Sequence, residues 1–176
     1  CFKYGIYKMN YKIIDNFLNI KDFKNLNSFI KGKEIPWFFN PVDVTNNIKN
    51  KNGFFQHTFY ENHQPINNYI TQINPFMEKL KIVGILRIRA NLTTRDIDAV
   101  ESSYHTDYDN LSSCTAIFFF NNCNSKTILK LPNEDMVVES KENRILIFKS
   151  SIYHKVVYAT DIHKRYVINF NYFTEE

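Results

Sequence analysis

Five histidines, at positions 57, 63, 105, 154 and 163, are the side chains best suited to bind a metal or move a proton near neutral pH. Only His105 has a carboxylate two residues on, in His105-Thr106-Asp107. In an extended segment residues i and i+2 share a side, so this imidazole and this carboxylate can grip one ion together. A His-x-acid pair arises by chance in chains of ordinary composition, and alone it decides little. His154, 47 residues after Asp107 and near the start of an apolar stretch, supplies a second imidazole. Two neutral imidazoles and one carboxylate on one face of an octahedral ion leave three positions open, a donor set that suits Fe(II) and O2 chemistry. Arg165 follows 11 residues later, and its guanidinium can hold a carboxylate bidentately. Taken singly, Arg165 reads better as a member of a surface ion pair, and it is the metal set before it that favours the carboxylate.

These residues need elements to position them. Tyr11–Phe17 reads as a short strand, and Asn19 as the cap of a helix over Ile20–Ile30 that puts Phe23, Leu26, Phe29 and Ile30 on one face. Ile35–Phe39 is an apolar, proline-marked connection, and Thr45–Gly53 a polar loop before a strand at Phe54–Tyr60. Pro65 opens a helical region to about Leu80, divided at Pro75. From Ile82 on, the pattern changes to short β-branched and aromatic runs: Ile82–Leu92, Cys114–Asn121, Lys126–Leu131, Met136–Glu139, Arg144–Phe148, Tyr153–Tyr158 and Arg165–Phe173. Strands after a helical start predict a mainly β, α+β fold, a β-sandwich with helices packed on one sheet. Parity puts Leu86, Ile88, Ala90 and Leu92 on one face, with Arg87, Arg89 and Asn91 opposite. It likewise separates Arg165, Val167, Asn169 and Asn171 from Tyr166, Ile168, Phe170 and Tyr172. Polar groups in such strands are either solvated or line a cavity.

Composition bounds the alternatives. The 176 residues suit one domain, 1–176, with an N-terminal support over 9–81 and a β core over 82–173. Met9 reads as a natural start, which makes 1–8 upstream or added sequence. A 44% hydrophobic and 23% charged chain is not disordered. Its four glycines are dispersed, at 5, 32, 53 and 84, which excludes the clustered glycines of phosphate-cradling loops. Residues 1–90 carry 13 Lys/Arg against 6 Asp/Glu, and residues 91–176 carry 9 against 12. That basic half is a solvated face or an attraction to an acidic partner. Three cysteines without a Cys-x-x-Cys, no signal-like segment and no membrane-length apolar run point to the cytoplasm. Low Gly with abundant Asn, Lys, Ile, Phe and Tyr suggests an AT-rich source.

The stretches RIRANL, YHTDY, TAIFFFN, VESKENRILIF, SSIYHKV and KRYVINFNYF resemble the double-stranded β-helix (jelly-roll) core of the Fe(II)/2-oxoglutarate-dependent oxygenases. The resemblance is to the prolyl-hydroxylase-like branch and to small oxygenases encoded by marine bacteriophages, with YKIIDNFL and IPWFF similar to the phage proteins' N-terminal region. A phage-encoded protein would work in the host cytoplasm. The resemblance implies Fe(II) bound by His105, Asp107 and His154, and the distal carboxylate of 2-oxoglutarate bound by Arg165. It also implies cavity-facing Thr115, Ile117 and Phe119, with Asn91 near the co-substrate and Asn169 and Asn171 supporting Arg165. Phe119 departs from the pattern: prolyl hydroxylases often place a tyrosine hydroxyl there, so Thr115 or water would replace it. Asn122–Ser125 stands where a glycine turn is usual, with asparagine able to adopt positive φ.

The implied reaction hydroxylates a substrate with O2 while 2-oxoglutarate becomes succinate and CO2, ascorbate serving as a possible reductant. The carboxylate of Asp107 favours hydroxylation over halogenation. The resemblance tilts the substrate toward a peptide or protein side chain such as proline; free amino acids and nucleic-acid bases stay open, as does the oligomeric state. Asn171 stands where nucleic-acid demethylases carry a second arginine, which speaks against that branch. A cupin would want a glycine-led His-x-His, and a zinc hydrolase an adjacent base. An inactive module that still binds metal or 2-oxoglutarate is the main alternative. His57, His63 and His163 read as surface residues, Trp37 as core or lid, Arg87 and Arg89 as cavity mouth or surface, and Thr93–Ser103 as a substrate lid.

Overall fold

The computed structural model describes residues 11–41, 53–95, 97–109 and 112–175. The expectations for 1–8 and for most of the Thr45–Gly53 loop lie outside these residues. Elements run β1 (Tyr11–Ile14), α1 (Ile20–Lys31), β2 (Phe38–Asn40), β3 (Phe54–Glu61), β4 (Gln64–Pro65), a 3-10 turn (Asn68–Ile73) and α2 (Asn74–Lys79). Then come β5 (Ile82–Thr94), β6 (Cys114–Phe119), β7 (Cys123–Leu129), β8 (Met136–Ser140), β9 (Arg144–Lys149), β10 (His154–Val157) and β11 (Lys164–Thr174). Among the described residues they form two antiparallel sheets. The large one is ordered β1-β9-β6-β11-β5-β3-β2 with β4 on β3, and the small one β10-β7-β8.

The helical layer covers the outer face of the large sheet. Asn19 caps α1 by accepting the Asp22 N–H at 2.9 Å, which satisfies a donor the helix leaves open. The expected face of Phe23, Leu26, Phe29 and Ile30 is the buried one. Phe76, on α2, is fully buried, its ring 4.9 Å from Phe118 of β6 and 4.7 Å from Phe170 of β11. Each such ring contributes about 1.5–3 kcal/mol on burial, more than the net of a typical hydrogen bond, so aromatic packing holds this layer. Trp37 joins it against Tyr166, 5.8 Å between rings.

The inner face of the large sheet meets the small sheet. Ile117, Phe119, Leu146, Phe148 and Val167 pack there against Leu129 and Val138. Strand β6 is buried along its whole length because it is covered on both faces. Of the parity assignments, Ile88, Ala90 and Leu92 share a face, which meets the helical core, whereas the bulge at Leu86 puts Ile85 in the place expected for Leu86.

Three expectations are corrected. His57 is 1% exposed, not a surface residue. Its Nδ1 lies 2.9 Å from the Pro36 carbonyl oxygen and its Nε2 3.4 Å from Asn67 Nδ2, so both ring nitrogens are satisfied inside. The Asn122–Ser125 turn contains no residue of positive φ; instead Asn124 accepts the Thr160 N–H and donates to the Thr160 hydroxyl. The Thr93–Ser103 segment is not a free lid: Ser102 N–H donates to the Val156 carbonyl and Tyr158 N–H to the Val100 carbonyl, fastening it to β10.

One turn residue ties the N-terminal layer to the sandwich. Asn143, at φ 56°, accepts the Leu18 N–H and donates to the Leu18 carbonyl, both at 2.9 Å. Replacing it by alanine leaves both Leu18 groups unpaired and puts a Cβ-bearing residue without local hydrogen bonds in the left-handed region. Asn143→Ala is expected to lower stability by about 2–4 kcal/mol in urea denaturation, and Asn143→Asp, which keeps the acceptor, by less. Nearby, Arg144 and Lys141 hold the Asp15 carboxyl well below the usual range, Arg144 donating at 2.6 and 3.2 Å and Lys141 at 2.9 Å. A depressed carboxyl stabilises the fold above its unfolded pKa of about 4 and loses that contribution as pH falls. Because this pair is solvent-screened, Asp15→Asn is expected to cost no more than about 1 kcal/mol at neutral pH. The gap to the wild type should close in melts taken progressively below about pH 4.

Candidate metal centre

His105 lies in the extended segment before β6, and His154 opens β10. Their backbones form an isolated antiparallel bridge, with His105 N–H donating to the His154 carbonyl at 3.0 Å and the reverse bond at 2.9 Å. That pairing sets the two imidazoles side by side, 4.4 Å between ring centres. Each Nδ1 faces a carbonyl oxygen, Ser103 at 3.2 Å for His105 and Ile152 at 3.1 Å for His154. A carbonyl only accepts, so both Nδ1 atoms carry the proton and both Nε2 lone pairs are left for a ligand. Asp107 completes the group: ligand atoms from His105, Asp107 and His154 all lie within 4.8 Å of one another.

The charge states suit a cation. Burial pushes the His154 imidazole below its ordinary pKa, toward the neutral form, while the Asp107 carboxylate pulls the other way. Burial alone would raise Asp107, but His154, the Asn171 hydrogen bond and Arg87 together hold its carboxyl below the ordinary value. Neutral imidazoles and an ionised carboxylate are the forms in which these side chains ligate metals.

A cavity of about 90 Å³ runs from His105 and His154 between the sheets to Arg165. Arg165 is 5% exposed, its guanidinium 5.6 Å from the Phe119 ring, and among the described residues it makes no ion pair. Burial lowers its pKa, with Cys123 and Tyr158 as the ionisable groups acting against that. The Nε of Arg165, Thr93 Oγ1, and the Oδ1 atoms of Asn91 and Asn169 are buried without hydrogen-bond partners. All four residues line the cavity. Orphaned polar atoms around a buried cation fit a small polar anion, whose oxygens would complete the guanidinium and hydroxyl. An asparagine amide, turned about its last bond, offers a donor in the same place.

The structure divides the residues named from sequence. His105, Asp107 and His154 come together; Arg165, Asn91 and Asn169 line the cavity; Phe119 packs beneath Arg165. Thr115 and Asn171 lie instead on Asp107: Asn171 Nδ2 and Thr115 Oγ1 donate to its Oδ2 at 2.9 and 3.1 Å. The reason is register, since Asn171 pairs with Thr115 six residues along β11 from Arg165. Thr115 therefore does not supply the hydroxyl missing at Phe119. Arg87 reaches Asp107, and Arg89 forms an ion pair with Glu61. Sequence reasoning missed Thr93, Thr127 and Tyr158 of the cavity wall. Thr127 had a readable signal, a polar residue sharing the Leu129 face of its strand, the face that is buried.

No protein-family model matches the chain, and no curated protein matches it by sequence. Solved structures do match in fold. An oxidoreductase of the 2OG-Fe(II) oxygenase family from Burkholderia pseudomallei is 8% identical with a TM-score of 0.72, over 95% of this chain and 86% of that one. A prolyl hydroxylase from Trichoplax adhaerens, in complex with a hypoxia inducible factor peptide, is 17% identical at TM-score 0.61, over 93% and 83%. The epimerase SnoN, in complex with Fe3+, alpha ketoglutarate and nogalamycin RO, is 7% identical at TM-score 0.64, over 94% and 79%. The fold is thus the jelly roll of 2OG-Fe(II) oxygenases.

A buried guanidinium without an anion is a burden on the ligand-free protein. Arg165→Met is therefore expected to raise the melting temperature of the metal-free chain by a few degrees, about the shift of 1 kcal/mol in a domain of this size. The same variant should lose any stabilisation by added dicarboxylate, read in the same melting assay.

Proposed function

We propose that the protein is an Fe(II)- and 2-oxoglutarate-dependent dioxygenase that hydroxylates its substrate with release of succinate and CO2. The observation that carries this reading is the unpaired, buried Arg165 in one cavity with His105 and His154, the two histidines that group with Asp107. A metal triad alone would serve many chemistries, whereas a triad joined to a carboxylate receptor suits a dicarboxylate co-substrate that also touches the metal.

In this reading His105 and His154 present Nε2 and Asp107 one carboxylate oxygen to Fe(II). Bound there, Fe(II) with 2-oxoglutarate would supply O2 activation, one oxygen atom ending in succinate and the other in the substrate hydroxyl. Arg165 holds the distal carboxylate, helped by Thr93 and by the amides of Asn91 and Asn169 along the cavity. Thr127 and Tyr158 close the opposite wall and exclude water. Arg87 and Tyr108, stacked at 5.5 Å, stand beside Asp107. A peptide or protein side chain such as proline is the favoured substrate, in keeping with the resemblance to prolyl hydroxylases. The SnoN likeness makes epimerisation the competing outcome on the same fold.

The test is an anaerobic titration of metal-stripped protein with Fe(II) and then 2-oxoglutarate, following the visible charge-transfer band of the chelate. A saturable band, absent in Asp107→Ala and weakened in Arg165→Met, is expected, with succinate release on admitting O2. Absence of both the band and calorimetric metal binding in the wild type would overturn the reading. A band without succinate formation across a substrate screen would instead point to a binding module.

A further inference from the structure

The polar row that ends at Asp107 is built differently from the rows beside it. Arg87 of β5, Asn171 of β11 and Thr115 of β6 are cross-strand partners in one line across the large sheet. Asn171 and Thr115 are fully buried, where apolar residues would fit at lower cost unless their polarity has a use. Every hydrogen bond along the row leads to one carboxylate. Arg87 Nε donates to Asn171 Oδ1 at 3.3 Å, which fixes the amide so that Nδ2 points to Asp107. Asn171 Nδ2 also donates to Thr115 Oγ1 at 3.0 Å. Thr115 Oγ1 lies 3.0 Å from Ser150 Oγ and 3.1 Å from Asp107 Oδ2. An ionised carboxylate only accepts, so the Thr115 proton goes to Asp107 and Ser150 donates to Thr115 in turn. Strand pairing slips just beyond Asn171, a bulge of the kind that re-aims side chains beside a site.

The two oxygens of Asp107 are consequently unequal. Oδ2 accepts two bonds at 2.9 and 3.1 Å, while Oδ1 has only a long contact to Arg87 Nη2 at 3.4 Å. We propose that Arg87, Asn171, Thr115 and Ser150 form a positioning relay that retains Oδ2 for the protein and presents Oδ1 alone to the metal. The inference rests on the metal site of the proposed function. Its consequence is coordination number: a carboxylate free to turn can ligate through both oxygens and close a position that the co-substrate or O2 needs. These four are positioning residues, acting through Asp107.

The test uses the full chain stripped of metal, titrated calorimetrically with Co(II), whose visible absorption intensity reports coordination number. Thr115→Val is nearly isosteric and removes the hydroxyl, both the donor to Asp107 and the acceptor of Asn171 and Ser150; Thr115→Ser restores it. Thr115→Val is expected to weaken Co(II) binding about tenfold or more, the scale seen when partners of a metal ligand are lost, and to change the Co(II) spectrum. Thr115→Ser should stay within about twofold of the wild type with an unchanged spectrum. The metal-free melts of both variants should stay cooperative, and Asn171→Ser provides a second break in the relay should Thr115→Val fail to fold. Unchanged affinity and spectrum in Thr115→Val or Asn171→Ser would overturn the relay while leaving the metal site intact. A wild type that binds no Co(II) would overturn the relay and the metal site together.

Discussion

Two backbone hydrogen bonds, exchanged between His105 and His154, govern the placement of everything else in the centre. They join a segment without regular structure to the first residue of β10 in the small sheet. Without them, the two imidazoles would lie on two pieces of chain not paired at the ligands themselves. The bridge acts on the peptide groups, which leaves both imidazoles free, and the Nδ1 contacts to Ser103 and Ile152 then fix their tautomers. The neighbouring bonds of Ser102 and Tyr158 extend the same pairing. The segment therefore serves as scaffold for the site, where its position alone suggested a movable cover.

The large sheet divides its labour by face and by row. Its outer face is closed by aromatic packing under α1 and α2, with His57 buried among those rings only because Pro36 and Asn67 satisfy it. Its inner face mixes Ile117 and Val167 with asparagines in the middle and is polar toward both ends. One end gathers Arg87, Asn171 and Thr115 on the carboxylate of Asp107. The other gathers Arg165 and Thr93, with Asn91 and Asn169 between. Strands that run antiparallel through both ends connect them rigidly, so a ligand reaching from metal to guanidinium would be measured against a fixed length.

Much of this was legible in the sequence, and the failures have physical causes. Alternation in Leu86–Leu92 and Arg165–Tyr172 gave the faces because strand side chains alternate without exception short of a bulge. The helix over Ile20–Lys31 was equally plain from Asn19 and its apolar spacing. Parity, however, says which face a residue occupies and nothing about how far along the strand its partners lie. For that reason Asn171 and Thr115 were grouped with Arg165, whereas register places them with Asp107. His57 was misread because a histidine beside polar residues looks solvated until Pro36 and Asn67 close over its ring. Tyr158 carries no sequence signal, since its role depends on the small sheet folding across the large one.

The bare cation of Arg165 has a consequence for the life of the protein in a cell. Anything that binds the folded chain and not the unfolded one draws the population toward the fold by mass action. A buried guanidinium beside orphaned polar atoms lets any small anion that fits the cavity stabilise the folded chain. Proteases sample the opened fraction, which grows as that anion is depleted. The persistence of the folded chain would then follow the supply of whatever small anion fits there, with no regulator beyond the cavity itself.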